Sequence, residues 1–370
     1  MIFRLTSKKP VLLAGNGVRA AGAETLLYKF AEKTAIPVLT TMNAVDLIQD
    51  SMKIGFIGTY GNRVANIILN NCDLLISIGA RLGLRQVGHI SKNFAPNAAL
   101  VRVDVDQYEL SRDVKIDEEK YLMDAKIFLE NLLAENVPRY SQWNEKCFRV
   151  KKILDKFDKT AGNWLVEKIS ALLPANAVVA VDVGQNQCWC AQSLHLRGKT
   201  GRIFINGGYG SMGCALPISI GASIAGNKCV VFCITGDGGL QMNIQELETV
   251  VRENLPIKIL VINNTCLGKI SEIQMKSYDA RFSQTTTKSG YSVPNFEQIA
   301  IAYGIKAATL PSGEFLKNYE SWLLDEYPCL INVFIPEDTE LIPKIQWATG
   351  EILPSLESHV EAQVNEILNL

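Results

Sequence analysis

The runs Val230-Val-Phe-Cys-Ile-Thr235, Gly236-Asp-Gly-Gly239 and Ile257-Lys-Ile-Leu-Val-Ile262 with Asn263-Asn264 decide the fold of this 370-residue chain. The first run is apolar, rich in β-branched residues and closed by glycines. That is the pattern of a buried strand delivering a tight turn. The residues after the glycines predict a helix over Gln241–Glu253, with Ile244, Leu247 and Val251 at helical spacing. The third run predicts a second buried strand. Strand, helix and strand make one βαβ unit, and its right-handed crossover sets the two strands parallel. Asp237 and Asn264 are therefore expected at the same carboxyl-terminal edge of neighbouring strands, where open α/β sheets bind ligands.

The chemistry follows from that placement. Asp237 offers a hard anionic oxygen and Asn264 a neutral one. Mg²⁺ takes octahedral oxygen ligands, one or two of them from side chains and the rest from phosphate and water. Glycines let a backbone come close, and the helix N-terminus after Gly239 favours a phosphate. The combination describes a Mg²⁺-diphosphate clamp. The plain alternative is a tight turn with an N-capping aspartate.

Working outward, apolar runs predict further strands at Val11–Ala14, Ile36–Thr40, Leu74–Ile78 and Leu100–Val105 in a first α/β segment. A second segment adds Ala177–Val183, Arg202–Ile205 and Cys329–Ile335. The expected fold class is α/β, with two doubly wound parallel-sheet domains. The expected division is a first domain over 1–135, a charged helical connector over 136–160, a second domain over 161–345 and a tail over 346–370.

Two more glycine patterns need weighing. Gly15-Asn-Gly-Val-Arg-Ala20 fits the dinucleotide fingerprint after a strand. That fingerprint needs a carboxylate at the end of the next strand to hold a ribose. Here the strand ends Leu39-Thr-Thr-Met42, so an NAD oxidoreductase is disfavoured. Gly208-Tyr-Gly-Ser-Met-Gly213 is a weaker match, open to a backbone approaching a cofactor or to tight helix packing.

Composition bounds the function class. Apolar residues are 48% and charged residues 20%, with a net charge of −1. This leaves no basic footprint for nucleic acid. The stretch Met212–Gly226 is uncharged but too short to span a bilayer, and it reads as a buried helix. Met1-Ile-Phe-Arg-Leu-Thr-Ser-Lys-Lys9 is not expected to be a signal peptide. Nine cysteines, several inside apolar runs and none in a CxxC pair, predict a reduced cytoplasmic protein.

Gly236-Asp-Gly238, a helix, a strand and Asn263-Asn264 resemble the thiamine diphosphate (ThDP) binding motif. The wider context is similar to acetolactate synthase and its relatives. Asp182-Val-Gly-Gln-Asn-Gln-Cys-Trp189, Gly207-Gly-Tyr-Gly-Ser-Met-Gly-Cys-Ala-Leu-Pro217 and Gly236-Asp-Gly-Gly-Leu-Gln-Met-Asn243 stand in family order. The first segment is similar through Lys9-Pro-Val-Leu-Leu-Ala-Gly-Asn-Gly17, Gly58-Thr-Tyr-Gly61, Ile78-Gly-Ala-Arg81 and Asp104-Val-Asp106. The resemblance runs from about Lys9 to Pro343.

The resemblance implies roles. Asp237, the side chain of Asn264 and the backbone carbonyl of Cys266 would bind Mg²⁺. Val183, Gly184, Gln185, Asn186, Gly238 and Gly239 would line the diphosphate. Met212, with Gly210 and Leu267 nearby, would prop ThDP in a bent conformer. The first segment would be the middle domain, which binds FAD in acetolactate synthases. Gly17, Thr41, Met42, Gly58, Tyr60, Gly79, Arg81, Asp104 and Val105 match that surface. The tail after Ile335, with Pro343 and Lys344, would close over the site.

Departures bear on what is expected. Asn186 stands where many relatives have His. Ile273 stands where synthases preferring 2-ketobutyrate carry Trp, and Lys269 takes a usually apolar position. The run Ser289-Gly-Tyr-Ser-Val-Pro294 followed by Phe296–Gly304 is similar to a branch found among sugar and polysaccharide biosynthesis genes. The sequence begins at the middle domain of the family. The pyrimidine-binding domain, which carries the cofactor-activating glutamate, would come from a separate chain; the expected assembly is a homo-oligomer or a complex with such a chain. No catalytic carboxylate is nominated here. The implied activity is that of a transferase or lyase: decarboxylation of a pyruvate-like 2-keto acid and carboligation to a second carbonyl. The rival class is a remnant or regulatory protein that binds ThDP or FAD and catalyses nothing.

Overall fold

The computed structural model describes residues 7–198, 200–346 and 349–368. The chain divides into two compact units, Met1–Asp158 with Ile342–Leu370, and Lys159–Leu341. Each unit is built on a six-stranded parallel sheet flanked by helices, as the strand–helix alternation predicts.

In the first unit the strands are β1 (Pro10–Ala14), β2 (Val38–Thr40), β3 (Lys53–Phe56), β4 (Leu74–Ile78), β5 (Ala99–Asp104) and β6 (Glu119–Leu122). Their spatial order is β3-β2-β1-β4-β5-β6. The order reverses between β1 and β4, so the turns leaving these two strands meet at the switch point. There Gly15 N donates to Ile78 O and Gly17 N to Gly79 O. A Cβ on Gly15 would overlap the Gly79 backbone, and one on Gly17 would lie 2.7 Å from Gly79 Cα. The Gly-x-Gly pattern is thus required by one turn packing on another.

Alternate residues of each strand feed the two faces. Leu12, Ala14, Ile76 and Ile78 pack under Leu27 and Phe30 of the helix Glu24–Thr34 and under Phe128 and Leu129 of the helix Ala125–Ala134. Val11, Leu13 and Leu75 face Val64 and Ile68 of the helix Arg63–Asn71. The same core takes in the helices Ser141–Leu154 and Ser358–Leu368.

This corrects the expected division. The connector as far as Asp158, and the tail, are structural parts of the first unit. Trp143, Cys147, Val150 and Leu154 recur at helical spacing and form one buried stripe, while Glu145, Arg149 and Lys152 between them are exposed. Val360, Val364 and Ile367 do the same for the last helix. Arg63 ties these parts together. It forms an ion pair with Asp158 at 2.6 Å and donates to the carbonyls of Ile352 and Pro354.

The second unit carries β7 (Val178–Val181), β8 (Arg202–Ile205), β9 (Val231–Gly236), β10 (Ile257–Asn263), β11 (Lys306–Leu310) and β12 (Cys329–Phe334), in the order β11-β12-β10-β9-β7-β8. β9 and β10 pair in parallel with Ile262 opposite Gly236, as the βαβ reading requires. Two expectations change. The helix predicted over Gln241–Glu253 starts at Asp237 and is broken into Asp237–Met242, a 3-10 turn Ile244–Glu246, and Leu247–Arg252. Asn243 leaves the helical region at φ −138°, and its Nδ2 donates to Gly213 O at 2.9 Å. The stretch expected as a buried helix forms Ala215–Ala225, but it buries only one face. Leu216, Ser219 and Ser223 are inside, whereas Pro217, Gly221 and Ile224 are exposed.

Strands β3, β6 and β11 were not anticipated. They lie at sheet edges, are four or five residues long and carry lysines, so no apolar run marks them. Among the described residues no helix is long and apolar enough to cross a membrane.

Trp143 is buried and its Nε1 donates to Pro10 O at 3.1 Å. Trp143→Ala is expected to cost about 3–5 kcal/mol in urea unfolding, because it opens a cavity between helix and sheet. A loss below 1 kcal/mol would show that this helix is not part of the core.

Candidate functional site

The site is assembled on the carboxyl edge of β7, β9 and β10. β7 ends one residue before Asp182, whose carboxylate is buried. Its Oδ1 accepts from Val183 N (2.8 Å) and Cys214 N (3.2 Å), and its Oδ2 from Gly213 N (3.0 Å) and Thr235 Oγ1 (2.9 Å). Three separate segments thereby meet on one side chain. Burial pushes the Asp182 carboxyl up, and these donors pull it back down. A Cβ on Gly239 would overlap Asp182 Oδ2, which explains the third glycine of the run Gly236–Gly239.

Asp237 opens the helix Asp237–Met242 and is buried. Its Oδ1 accepts from Gly238 N at 2.8 Å. Its Oδ2 is buried and, among the described residues, has no hydrogen-bond partner. The backbone N–H groups of Cys266 and Thr265 lie close enough to favour the charged carboxylate, so the loop after β10 faces it. Burial outweighs them and the Gly238 hydrogen bond, and raises the carboxyl to about 6.

The loop after β10 is held in an unusual conformation. Thr265 has φ +51°, a left-handed backbone that β-branched residues rarely adopt. Buried Asn263 braces it: Oδ1 accepts from Thr265 N (3.0 Å) while Nδ2 donates to Asn332 Oδ1 (3.0 Å). The neighbouring Asn264 is buried and donates Nδ2 to Gln185 Oε1 at 3.0 Å. Cys266 is buried with its Sγ 3.3 Å from Ser271 Oγ.

The remaining expected residues surround this pair. Gly184, at φ +150°, precedes the helix Gln185–Ser193, so a second helix N-terminus opens at the same sheet edge. Asn186 donates Nδ2 to Asp182 O at 2.8 Å and turns Oδ1 toward Gly184 and Gly236. Met212, Leu267 and Tyr291 gather over Gly238: a Cβ there would lie 2.6 Å from Leu267 Cδ2, 3.2 Å from the Tyr291 hydroxyl and 3.3 Å from Met212 Cε. Gly210 has φ +69° in the loop that leads to Met212. The expected tail contact is in part present, because Gln185 Nε2 donates to Thr339 O and Glu337 accepts from Thr287. Pro343 and Lys344 belong to the first unit. Lys269 pairs with Glu272 at 3.5 Å.

Within the first unit the expected nucleotide-facing residues all follow strands at one edge. Gly17 follows β1, and Thr41 and Met42 follow β2. Gly58 and Tyr60 follow β3, Gly79 and Arg81 follow β4, and Asp104 and Val105 end or follow β5. Thr41 is buried, whereas Arg81 and Val105 are open to solvent. Glu109 steadies the Arg81 turn. It accepts from Leu82 N, Arg102 and Arg112.

Sequence reasoning missed Asp182 as an organiser, Thr235, the Gln185–Thr339 link and Tyr291. Asp182 and Gln185 stand inside a quoted motif, but only contacts between distant segments show what their side chains hold. Among the described residues no group of three or more His, Cys, Asp or Glu side chains is arranged to hold a metal ion. The oxygen set of one carboxylate, one amide and a backbone carbonyl suits a hard cation that keeps phosphate and water as its other ligands. The buried, unpartnered Oδ2 of Asp237 fits such a group.

The raised Asp237 carboxyl makes a prediction for the metal-free protein. Between about pH 4 and 6 the folded form keeps a proton that the unfolded chain has released. Wild type should therefore lose stability relative to Asp237→Asn as pH rises through that window. By pH 7 wild type should have lost about 3 kcal/mol relative to the variant, counted from their difference near pH 4. Urea titrations across the window read this, and parallel pH profiles for the two proteins would refute it.

Comparison with known proteins agrees with the geometry. Residues 5–132 match the central domain of the thiamine pyrophosphate enzymes, and residues 182–333 match their C-terminal TPP binding domain. The chain is 33% identical over 360 residues to the probable acetolactate synthase large subunit of Methanocaldococcus jannaschii, covering 92% of this chain and 59% of that protein. It is 34% identical to the probable acetolactate synthase large subunit of Methanococcus aeolicus, covering 83% and 54%. Against the acetolactate synthase isozyme 2 large subunit of Escherichia coli it is 30% identical, covering 92% and 62%. The chain spans between 54% and 62% of the length of these relatives. Two parallel sheets with those domain matches in chain order, and a buried carboxylate set beside an asparagine at the edge of the second, place this protein in the thiamine pyrophosphate enzymes, of which it carries the central and the C-terminal TPP-binding domains.

Proposed function

We propose that this chain serves an acetolactate synthase-type reaction, in which a pyruvate-like 2-keto acid loses CO₂ and its remaining fragment is joined to a second carbonyl. The observation that carries the reading is the buried Asp237 carboxylate, with one oxygen unpartnered, beside Asn264 at the carboxyl edge of β9 and β10. Asp237, Asn264 and the Cys266 carbonyl would hold Mg²⁺. Val183, Gly184, Gln185, Asn186, Gly238 and Gly239 would surround the diphosphate, where two helix N-termini supply amides. Gly210, Met212 and Leu267 would support the rest of thiamine diphosphate. When bound, that cofactor supplies an electron sink for the carbanion that decarboxylation leaves.

The chain's own residues anchor and orient, with Met212 Cε, Leu267 Cδ2 and the Tyr291 hydroxyl lying against the Gly238 backbone. Asn186 cannot carry a proton in the place where many relatives have His, and its amide is used to hold Asp182 O. In this reading the cofactor-activating glutamate belongs to a pyrimidine-binding domain, and the assembly is a cytoplasmic homo-oligomer or a complex with a pyrimidine-domain chain. The edge residues Gly17, Thr41, Met42, Gly79, Arg81 and Asp104 would face FAD.

Calorimetry tests the anchor. Thiamine diphosphate is expected to bind saturably in the presence of Mg²⁺ and not after chelation, and Asp237→Ala or Asn264→Ala should abolish the signal. Mixing with a pyrimidine-domain chain and pyruvate should then release CO₂ and form acetolactate. Binding without turnover in any such mixture supports a non-catalytic cofactor-binding protein, and no binding at all sinks the proposal.

A further inference from the structure

Which atom Asn264 offers to a cation is decided two residues away in space. An asparagine amide has an oxygen and a nitrogen of nearly equal shape. Only the oxygen suits a cation, because the nitrogen presents two N–H donors. In this chain the amide of Asn264 is clamped by Gln185, which is buried at the start of the helix Gln185–Ser193. Gln185 Nε2 donates to the carbonyl of Thr339 at 3.2 Å. A carbonyl only accepts, so this bond fixes which end of the Gln185 amide points which way. Its Oε1 is thereby turned to Asn264, whose Nδ2 donates to it at 3.0 Å. With the nitrogen committed, the oxygen of Asn264 is the end left for a cation.

Gly268 makes room for this arrangement. A Cβ at that position would overlap Gln185 Oε1 and lie 3.0 Å from its Nε2. The glycine after Leu267 therefore has a packing cause that its φ does not reveal. Both ends of the Gln185 side chain are occupied within the protein, which leaves its backbone N–H for an anion.

We propose that Gln185 is a positioning residue. The relay from the Thr339 carbonyl through Gln185 sets the Asn264 amide with its oxygen toward the cation. This rests on the reading of Asp237 and Asn264 as metal ligands. Orienting partners of this kind typically change metal affinity by about 10- to 100-fold. The relay also gives the segment after β12 a part in the site through a single backbone carbonyl.

A double-mutant cycle tests the relay on the full chain, with Mn²⁺ as the probe, thiamine diphosphate present and free Mn²⁺ read by electron paramagnetic resonance. Gln185→Ala is expected to weaken Mn²⁺ binding about 10- to 100-fold. Gly268→Ala, which crowds Gln185 Oε1, should weaken it in the same direction. In the Asn264→Asp background, Gln185→Ala should cause no loss, because a carboxylate presents oxygen in either rotation. A second readout needs no metal. The side-chain amide protons of Asn264, identified by their disappearance in Asn264→Asp, should exchange slowly in wild type and fast in Gln185→Ala. Equal weakening in both backgrounds, no weakening in the Asn264 protein, or unchanged amide exchange overturns the proposal. If wild type binds no Mn²⁺ at all, the metal reading fails, and amide exchange still decides the relay.

Discussion

One buried carboxylate, Asp182, is the point on which the second unit's site depends. It draws Val183, the Gly213–Cys214 turn and Thr235 to two oxygen atoms. A charge this deep is costly unless its lone pairs are filled, so the donors must stay in place. That requirement fixes where β7 stops, where the helix Ala215–Ala225 begins and how close Gly239 comes. Asn243, bonded to the Gly213 carbonyl, then breaks the following helix to keep the same turn in register. Met212 and Asp237 take their positions from this frame.

The two units solve one packing problem in two ways. Each brings together turns from strands at a sheet reversal, and each needs backbone where side chains would collide. In the first unit glycine meets glycine, as Gly15 and Gly17 press on Gly79. In the second, glycine meets polar side chains: Gly239 meets Asp182, and Gly268 meets Gln185. The first arrangement closes a turn-to-turn contact. The second surrounds Asp237 and Asn264 with fixed hydrogen-bond partners and leaves one carboxylate oxygen unfilled.

Much of the fold could be read directly from residue order. The β-branched runs Val231–Thr235 and Ile257–Ile262 mark central strands because both of their faces are buried. Glycines after them mark the edge, and parallel crossover puts Asp237 and Asn264 side by side. Edge strands such as Glu119–Leu122 are short and begin with charged residues, so they contain no continuous apolar run and escape notice for that reason. The helices Ser141–Leu154 and Ser358–Leu368 read as charged and peripheral. Their stripes of Trp143, Cys147 and Val150, and of Val360 and Val364, become informative only against the sheet face that covers them. Asn243 looks like an ordinary helix residue until its partner across the chain is known.

The amino-acid sequence alone determined the fold class, the βαβ unit and the residue types able to hold a cation and a diphosphate. Those depend on local period, turn chemistry and strand direction, all of which are written within a few tens of residues. Tertiary structure decided which side chains are organisers. Asp182 joins residues 31 and 53 positions away, and Gln185 joins residues 79 and 154 positions away. Hydrogen bonds over such separations depend on how distant segments converge, and spacing along the chain does not encode that convergence.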